Sequence, residues 1–215
     1  MRLLSAALLV SVVLAGLSAC TATSEPVEPP VPVPSEIPDA TGLSFAQGLE
    51  LSDDIADAPT FLNGFAADGS GWSEQDGTDP TQGYWVYLSE DGTCTTKLSQ
   101  IGEVDDNFDI VAGDDAASSV NALAWYFRSS EMVDQVSSGA VDATIPFGDS
   151  WESGDPGVDF KGISAQAESG DAFATFARTF TVPKVALIVD VSCTTADAFA
   201  AHIQNALLDS AVRAG

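Results

Sequence analysis

Six prolines, at positions 26, 29, 30, 32, 34 and 38, set the first limit on what this chain can fold into. Proline fixes φ and removes a backbone donor, so residues 21–38 cannot enter a helix or a sheet ladder. With Glu25, Glu28 and Glu36 between the prolines, the segment reads as a semi-extended polyproline spacer. At about 3.1 Å per residue it reaches on the order of 50 Å. Nothing basic flanks the prolines, so a mechanical role is the stronger reading and a proline-motif ligand the weaker one. The folded part is expected to start near Ala40.

Ahead of the spacer, Arg2 precedes an apolar run over residues 3–17. A run of about 15 residues is short for a membrane span, which needs roughly 20. It fits the apolar region of a secretory signal, followed by small residues at the cleavage point. The run closes on Leu17-Ser18-Ala19-Cys20, which resembles the lipobox of bacterial lipoproteins. The resemblance covers residues 1–20. It implies that the Cys20 sulfur carries diacylglycerol, that residues 1–19 are removed, and that Cys20 becomes the first residue. The alternatives are a plain signal peptide with a chance cysteine, or an uncleaved anchor. Each buried CH₂ of an acyl chain contributes about 0.8 kcal/mol, so two or three chains anchor stably where one is marginal. The implied organisation is a signal peptide at 1–19, a lipidated Cys20 with a Pro/Glu-rich linker to residue 39, and a single globular domain at 40–215. The implied location is the outer face of the bacterial cytoplasmic membrane, with the membrane as partner through the N-terminal lipid.

Past the leader the chain carries six Lys and Arg against 32 Asp and Glu, a net charge of −26. That field argues against nucleic acid as a partner and favours a self-repelling monomer. An Asp excess with only three lysines (Lys97, Lys161 and Lys184) resembles the composition of high-GC actinobacterial and salt-adapted proteins. A hydrophobic fraction of 45% is ample for a packed core. If Cys20 is taken by lipid, Cys94 and Cys193 remain as an even pair in an oxidising compartment, and a Cys94–Cys193 disulfide is expected. No Cys-x-x-Cys or Cys/His cluster supports a zinc or thioredoxin-type site.

Residues 43–57 leave a short helix open, and 63–82, rich in Gly, Asp, Ser and Thr, read as loop. The aromatic and β-branched stretch 83–88, the Asp91-Gly92 turn and residues 93–101 read as a hairpin. Asp114 and Asp115 are candidate caps for a helix to about residue 127, with Val120, Leu123, Ala124 and Phe127 on one face. A second short helix is expected at 130–138 and a strand at 141–145. Residues 148–157 read as loop. Two strands, 158–167 and 172–182, precede a buried strand at 185–191 that ends at Cys193. Thr194 then reads as a helix N-cap, with Asp197 as its capping-box partner. The last helix is predicted to run to about residue 212, with Phe199, Ile203, Ala206 and Leu207 inward. The expected fold class is α+β: an antiparallel sheet, helices on one face, and a C-terminal amphipathic helix.

Chemistry-bearing patterns are sparse. Gly148-Asp149-Ser150 matches the nucleophile block of lipase-like esterases or serine proteases only in part. The chain has one histidine, His202, and Asp197–His202 spacing inside a helix does not give a triad. Asp68, Asp76 and Asp79 in one loop, and Asp105, Asp106, Asp109, Asp114 and Asp115 in another, offer oxygens of the kind Ca²⁺ takes, but without the spacing of a calcium loop. Paired carboxylates with Trp72, Trp85 and Trp151 as stacking platforms would suit glycoside hydrolysis, on a chain short for it. No catalytic residue, metal ligand or cofactor is therefore assigned, Ca²⁺ being the weak exception. The expected function is a non-catalytic, lipid-anchored binding or scaffolding domain for an envelope component or small ligand; the alternative is a small secreted hydrolase using acidic residues.

Overall fold

The computed structural model describes residues 44–45, 57–148 and 157–213. Cys20, the proline-rich spacer, residues 46–56 and the Asp149-Ser150-Trp151 stretch lie outside them.

The described residues form β1 (Thr60–Phe61), β2 (Trp72–Glu74), β3 (Tyr84–Ser89), β4 (Cys94–Ile101), α1 (Asp115–Tyr126), α2 (Val133–Gly139) and β5 (Val141–Pro146). There follow β6 (Gly157–Gln166), β7 (Ala172–Phe180), β8 (Val185–Cys193), α3 (Ala196–Asp209) and β9 (Val212–Arg213). Seven strands make one sheet in the order β2-β3-β4-β8-β7-β6-β5, each neighbouring pair antiparallel. β1 and β9 pair separately. This is an α+β fold with a C-terminal helix, as expected.

The β3–β4 hairpin forms because its turn residues satisfy its own backbone. The Gly92 N–H donates to the Ser89 carbonyl, and the Asp91 carboxylate accepts from the Thr93 N–H and the Ser89 hydroxyl. Gly92 takes φ 70°, where a side chain would be strained.

The layering differs from expectation. On β8, Leu187, Val189 and Val191 pack with Phe199, Ile203 and Leu207 of α3. Ile188 packs instead with Ala122 and Leu123 of α1. Alternate residues of one strand face opposite sides, so α3 covers one face of the sheet and α1 with α2 covers the other. An unbroken apolar run such as 185–189 is what a strand covered on both faces requires.

Other boundaries shift for local reasons. Thr195, not Thr194, caps α3, its hydroxyl accepting from the Ala198 N–H. The Thr194 N–H is already committed to the Thr93 carbonyl, extending the ladder past Cys193. The helix stops at Asp209, and Val212 pairs with Phe61. Residues 63–82 are more than loop: they hold β2 and 3-10 turns at Gly64–Ala66 and Pro80–Gln82. Phe65 and Trp72 there are core residues, the Phe65 ring stacking on Tyr87 at 4.9 Å. On α1 the fully buried positions include Ser118, Ser119, Ala122 and Leu123, while Val120 and Ala124 sit at the margin.

Ser119 is buried because its hydroxyl serves β7, while the Ser118 hydroxyl accepts from the Val111 N–H and donates to the Asp114 carbonyl. β6 pairs with β7 only up to Ala177, so Arg178, Thr179 and Phe180 pair with β8 alone. α1 takes over that edge: the Thr179 N–H donates to the Ser119 hydroxyl, and the Thr181 N–H to the Asp115 carboxylate. Arg178, 2% exposed, donates to Asp115 at 2.9 Å and to the Asp159 carbonyl at 3.1 Å. Its guanidinium stands 4.3 Å from the Phe45 ring centroid, and the Phe45 N–H donates to the Asp159 carboxylate.

Candidate binding groove

The two cysteines meet at one end of the sheet. Cys94 of β4 is directly opposite Cys193 of β8, and they form a disulfide with Cα atoms 4.1 Å apart. This is just short of the 4.4–6.8 Å usual for disulfides. The flanking Thr194–Thr93 hydrogen bond places the pair at a non-hydrogen-bonded position of the ladder, where strands approach most closely.

At the opposite end, on the face that α1 covers only in part, lies a groove of about 330 Å³ between β3, β4 and the last turn of α1. The 3-10 turn Pro80–Gln82 leads into it, capped by the Asp79 carboxylate, which accepts from the Thr81 N–H. Gly83 follows with φ 67°, and a Cβ there would lie 2.3 Å from the Gln100 carbonyl oxygen. Only glycine permits this approach, which sets Gln82 and Tyr84 beside the end of β4. Gln100 closes the contact by donating its N–H to the Gly83 carbonyl at 2.7 Å. Trp125, Tyr126 and Arg128 form the other wall, and Ser99, Gln100 and Ile188 also line the groove. The Arg128 guanidinium lies 4.3 Å from the Trp125 ring centroid and donates to the Trp125 carbonyl. In so acidic a chain, the described residues that line this groove include no Asp or Glu.

Tyr126 connects the groove to a buried carboxylate. Asp190, 8% exposed, lies two residues from Ile188 on the same face of β8. It accepts from the Thr175 hydroxyl at 2.6 Å, with the Lys97 ammonium 4.0 Å away. Burial pushes its carboxyl above the usual carboxylate range, opposed by Thr175, Lys97 and the Tyr126 hydroxyl. Burial, with the charge of Asp190, pushes the Tyr126 phenol up, so it stays a neutral donor.

A larger hollow of about 530 Å³ lies beside Asp105, Asp109, Thr181, Val182 and Lys184. Asp105 is ion-paired with Lys184, which holds its carboxyl below the usual range.

Several of the residues singled out from sequence have structural partners instead of each other. Asp79 and Asp114 cap helical turns, and Asp115 binds Arg178 and Thr181. Among the described residues, no three Asp, Glu, His or Cys side chains come together as metal ligands would. His202 pairs with Asp91 at 2.9 Å, not with Asp197, and its ring meets Trp72 edge-on. Hydrogen bonds from Ser89, His202 and Thr93, in that order, hold the Asp91 carboxyl far below its usual range. Trp72 and Trp85 pack with the α3-side core. Cys20, Ser150 and Trp151 lie outside the described residues. Sequence reading passed over Asp190 and Arg178, although each is a lone charge within an apolar strand run, a signal that such a residue is paired. No protein-family model matches the sequence, and no curated protein matches it.

Proposed function

We propose that this protein is a lipid-anchored envelope protein on the outer face of the bacterial cytoplasmic membrane, whose domain binds another envelope component without catalysing a reaction. The observation that carries the binding part is the groove at Gln82, Tyr84, Trp125 and Tyr126. It joins aromatic rings and amides on a rigid sheet, the makeup of a recognition site. The anchoring part rests on Leu17-Ser18-Ala19-Cys20 and the proline spacer behind it.

The alternative, a hydrolase using acidic residues, needs one carboxyl held up as the acid and another free as base or nucleophile. Asp105, in the larger hollow, is held down by Lys184, and of the two carboxyls raised by burial Asp190 is bonded to Thr175 beneath the floor and Asp209 stands by Trp72, away from both hollows. Both observations favour binding.

A photoreactive amino acid placed at Gln82 or at Glu90, at the disulfide end, tests the reading in living cells. The reading expects adducts from position 82 and few from position 90, with Cys20→Ser releasing the chain from membranes or leaving its leader attached. Equal yields from the two positions, or a wild-type chain recovered free of lipid, would contradict it.

A further inference from the structure

We infer that the groove at Gln82 and Tyr84 is a subsite for a neutral saccharide of one or two pyranose rings, an inference that rests on the binding reading above. The volume, about 330 Å³, suits a ligand of that size. A pyranose has an apolar C–H face that packs on an aromatic ring, and a rim of hydroxyls that each donate and accept. The groove supplies both partners. Tyr84, Trp125 and Tyr126 provide rings, and Gln82 and Ser99 provide side chains able to donate and accept together.

Other ligand classes fit less well. The β4 and β8 backbones under the groove are paired on both sides, and the outer side of β3 there is bonded by Asp79 at Tyr84 and by Thr78 at Val86, so an extended peptide finds no free strand edge to join. An anion meets the C-terminal end of α1, where the helix dipole is negative, and the field of a strongly acidic chain. Arg128, the cation at the groove, already has its guanidinium on the Trp125 ring and carbonyl. A cation finds no carboxylate among the described residues of the lining. A neutral polyol meets none of these penalties.

The test uses the full chain, extracted from membranes in a detergent without a sugar headgroup, and titrated with cellobiose, N,N′-diacetylchitobiose and digalacturonate by saturation-transfer NMR. At least one neutral disaccharide should bind with a Kd in the millimolar range or below, and more tightly than digalacturonate. Gln82→Ala, on an exposed turn, and Tyr84→Ala should each weaken it about tenfold, the scale of one lost stacking or hydrogen-bonding contact. Tyr84→Phe should keep most of the affinity. Tighter binding of digalacturonate, no saturation by either neutral probe, or unchanged affinity in Gln82→Ala would overturn the inference. If the probes fail while adducts still form from position 82, the saccharide is wrong and the binding reading stands. If both fail, both are wrong.

Discussion

The Thr179 N–H donates to the Ser119 hydroxyl at 2.8 Å, joining the first half of α1 to the edge that β7 exposes where β6 leaves it. An unpaired strand edge is a site for unwanted association, and here a helix covers it with side-chain oxygens. Arg178 fills the same opening, its guanidinium shared by Asp115, the Asp159 carbonyl and the rings of Phe45 and Phe180.

Arg178→Met should therefore be strongly destabilising. It leaves Asp115 without its cation, and breaking a buried pair from one side costs about 3–5 kcal/mol. Urea unfolding measures the loss; a midpoint within error of wild type would show that the pair holds little together.

The disulfide gives a second prediction. Cys94 and Cys193 are 99 residues apart, and closing a loop of that length restricts the unfolded chain by up to about 4–5 kcal/mol. Reduction should lower the unfolding midpoint and loosen α3, whose first turn follows Cys193. Thiol counting on the denatured, unreduced chain should find neither Cys94 nor Cys193 free.

Asp190 sets a pH dependence. Burial raises its pKa in the folded state above the unfolded value, so the folded state binds more protons between the two. Its contribution to stability therefore falls as pH rises from the ordinary carboxylate range through the raised pKa. Asp190→Asn cannot titrate and keeps an acceptor for Thr175. The stability difference, variant minus wild type, should increase through that window and level off above it. A difference constant from about pH 3 to pH 8 would exclude the effect.

Gly83→Ala tests the architecture of the groove. A left-handed non-glycine residue costs about 1–3 kcal/mol, and here the new Cβ also meets the Gln100 carbonyl, which is backbone and cannot rotate away. The variant should melt several degrees lower, and amide exchange should rise at residues 82–84 and 99–101. Substitution at the open turn position Gly69 has no such neighbour, although its φ of 80° adds strain of its own.

Local signals carried most of the fold. Asp91-Gly92, the aromatic run at 84–87 and the apolar run at 185–189 each dictate an element with little help from the rest of the chain. The missed features depend on partners distant in sequence. Val185 to Val189, apolar without alternation, asks for cover on both faces, but which helix supplies each is visible only once α1 and α3 are placed. Thr194 is still part of the strand ladder, donating its N–H to the Thr93 carbonyl, so the helix starts one residue later and Thr195 caps it. The groove was less legible still, since Gln82, Ser99 and Trp125 belong to different elements and share no spacing. Its sequence trace is Gly83 beside an aromatic strand, which reads equally well as an ordinary turn.

The most direct measurement is hydrogen exchange of the full chain in its own membrane vesicles, compared with the same chain purified in detergent. If the groove is where this protein meets an envelope component, exchange in vesicles should be slower at residues 82–84, 99–101 and 124–128, and unchanged over the hairpin turn at 89–94. Equal exchange at those three segments, or slowing confined to 89–94 or to α3, would contradict the account.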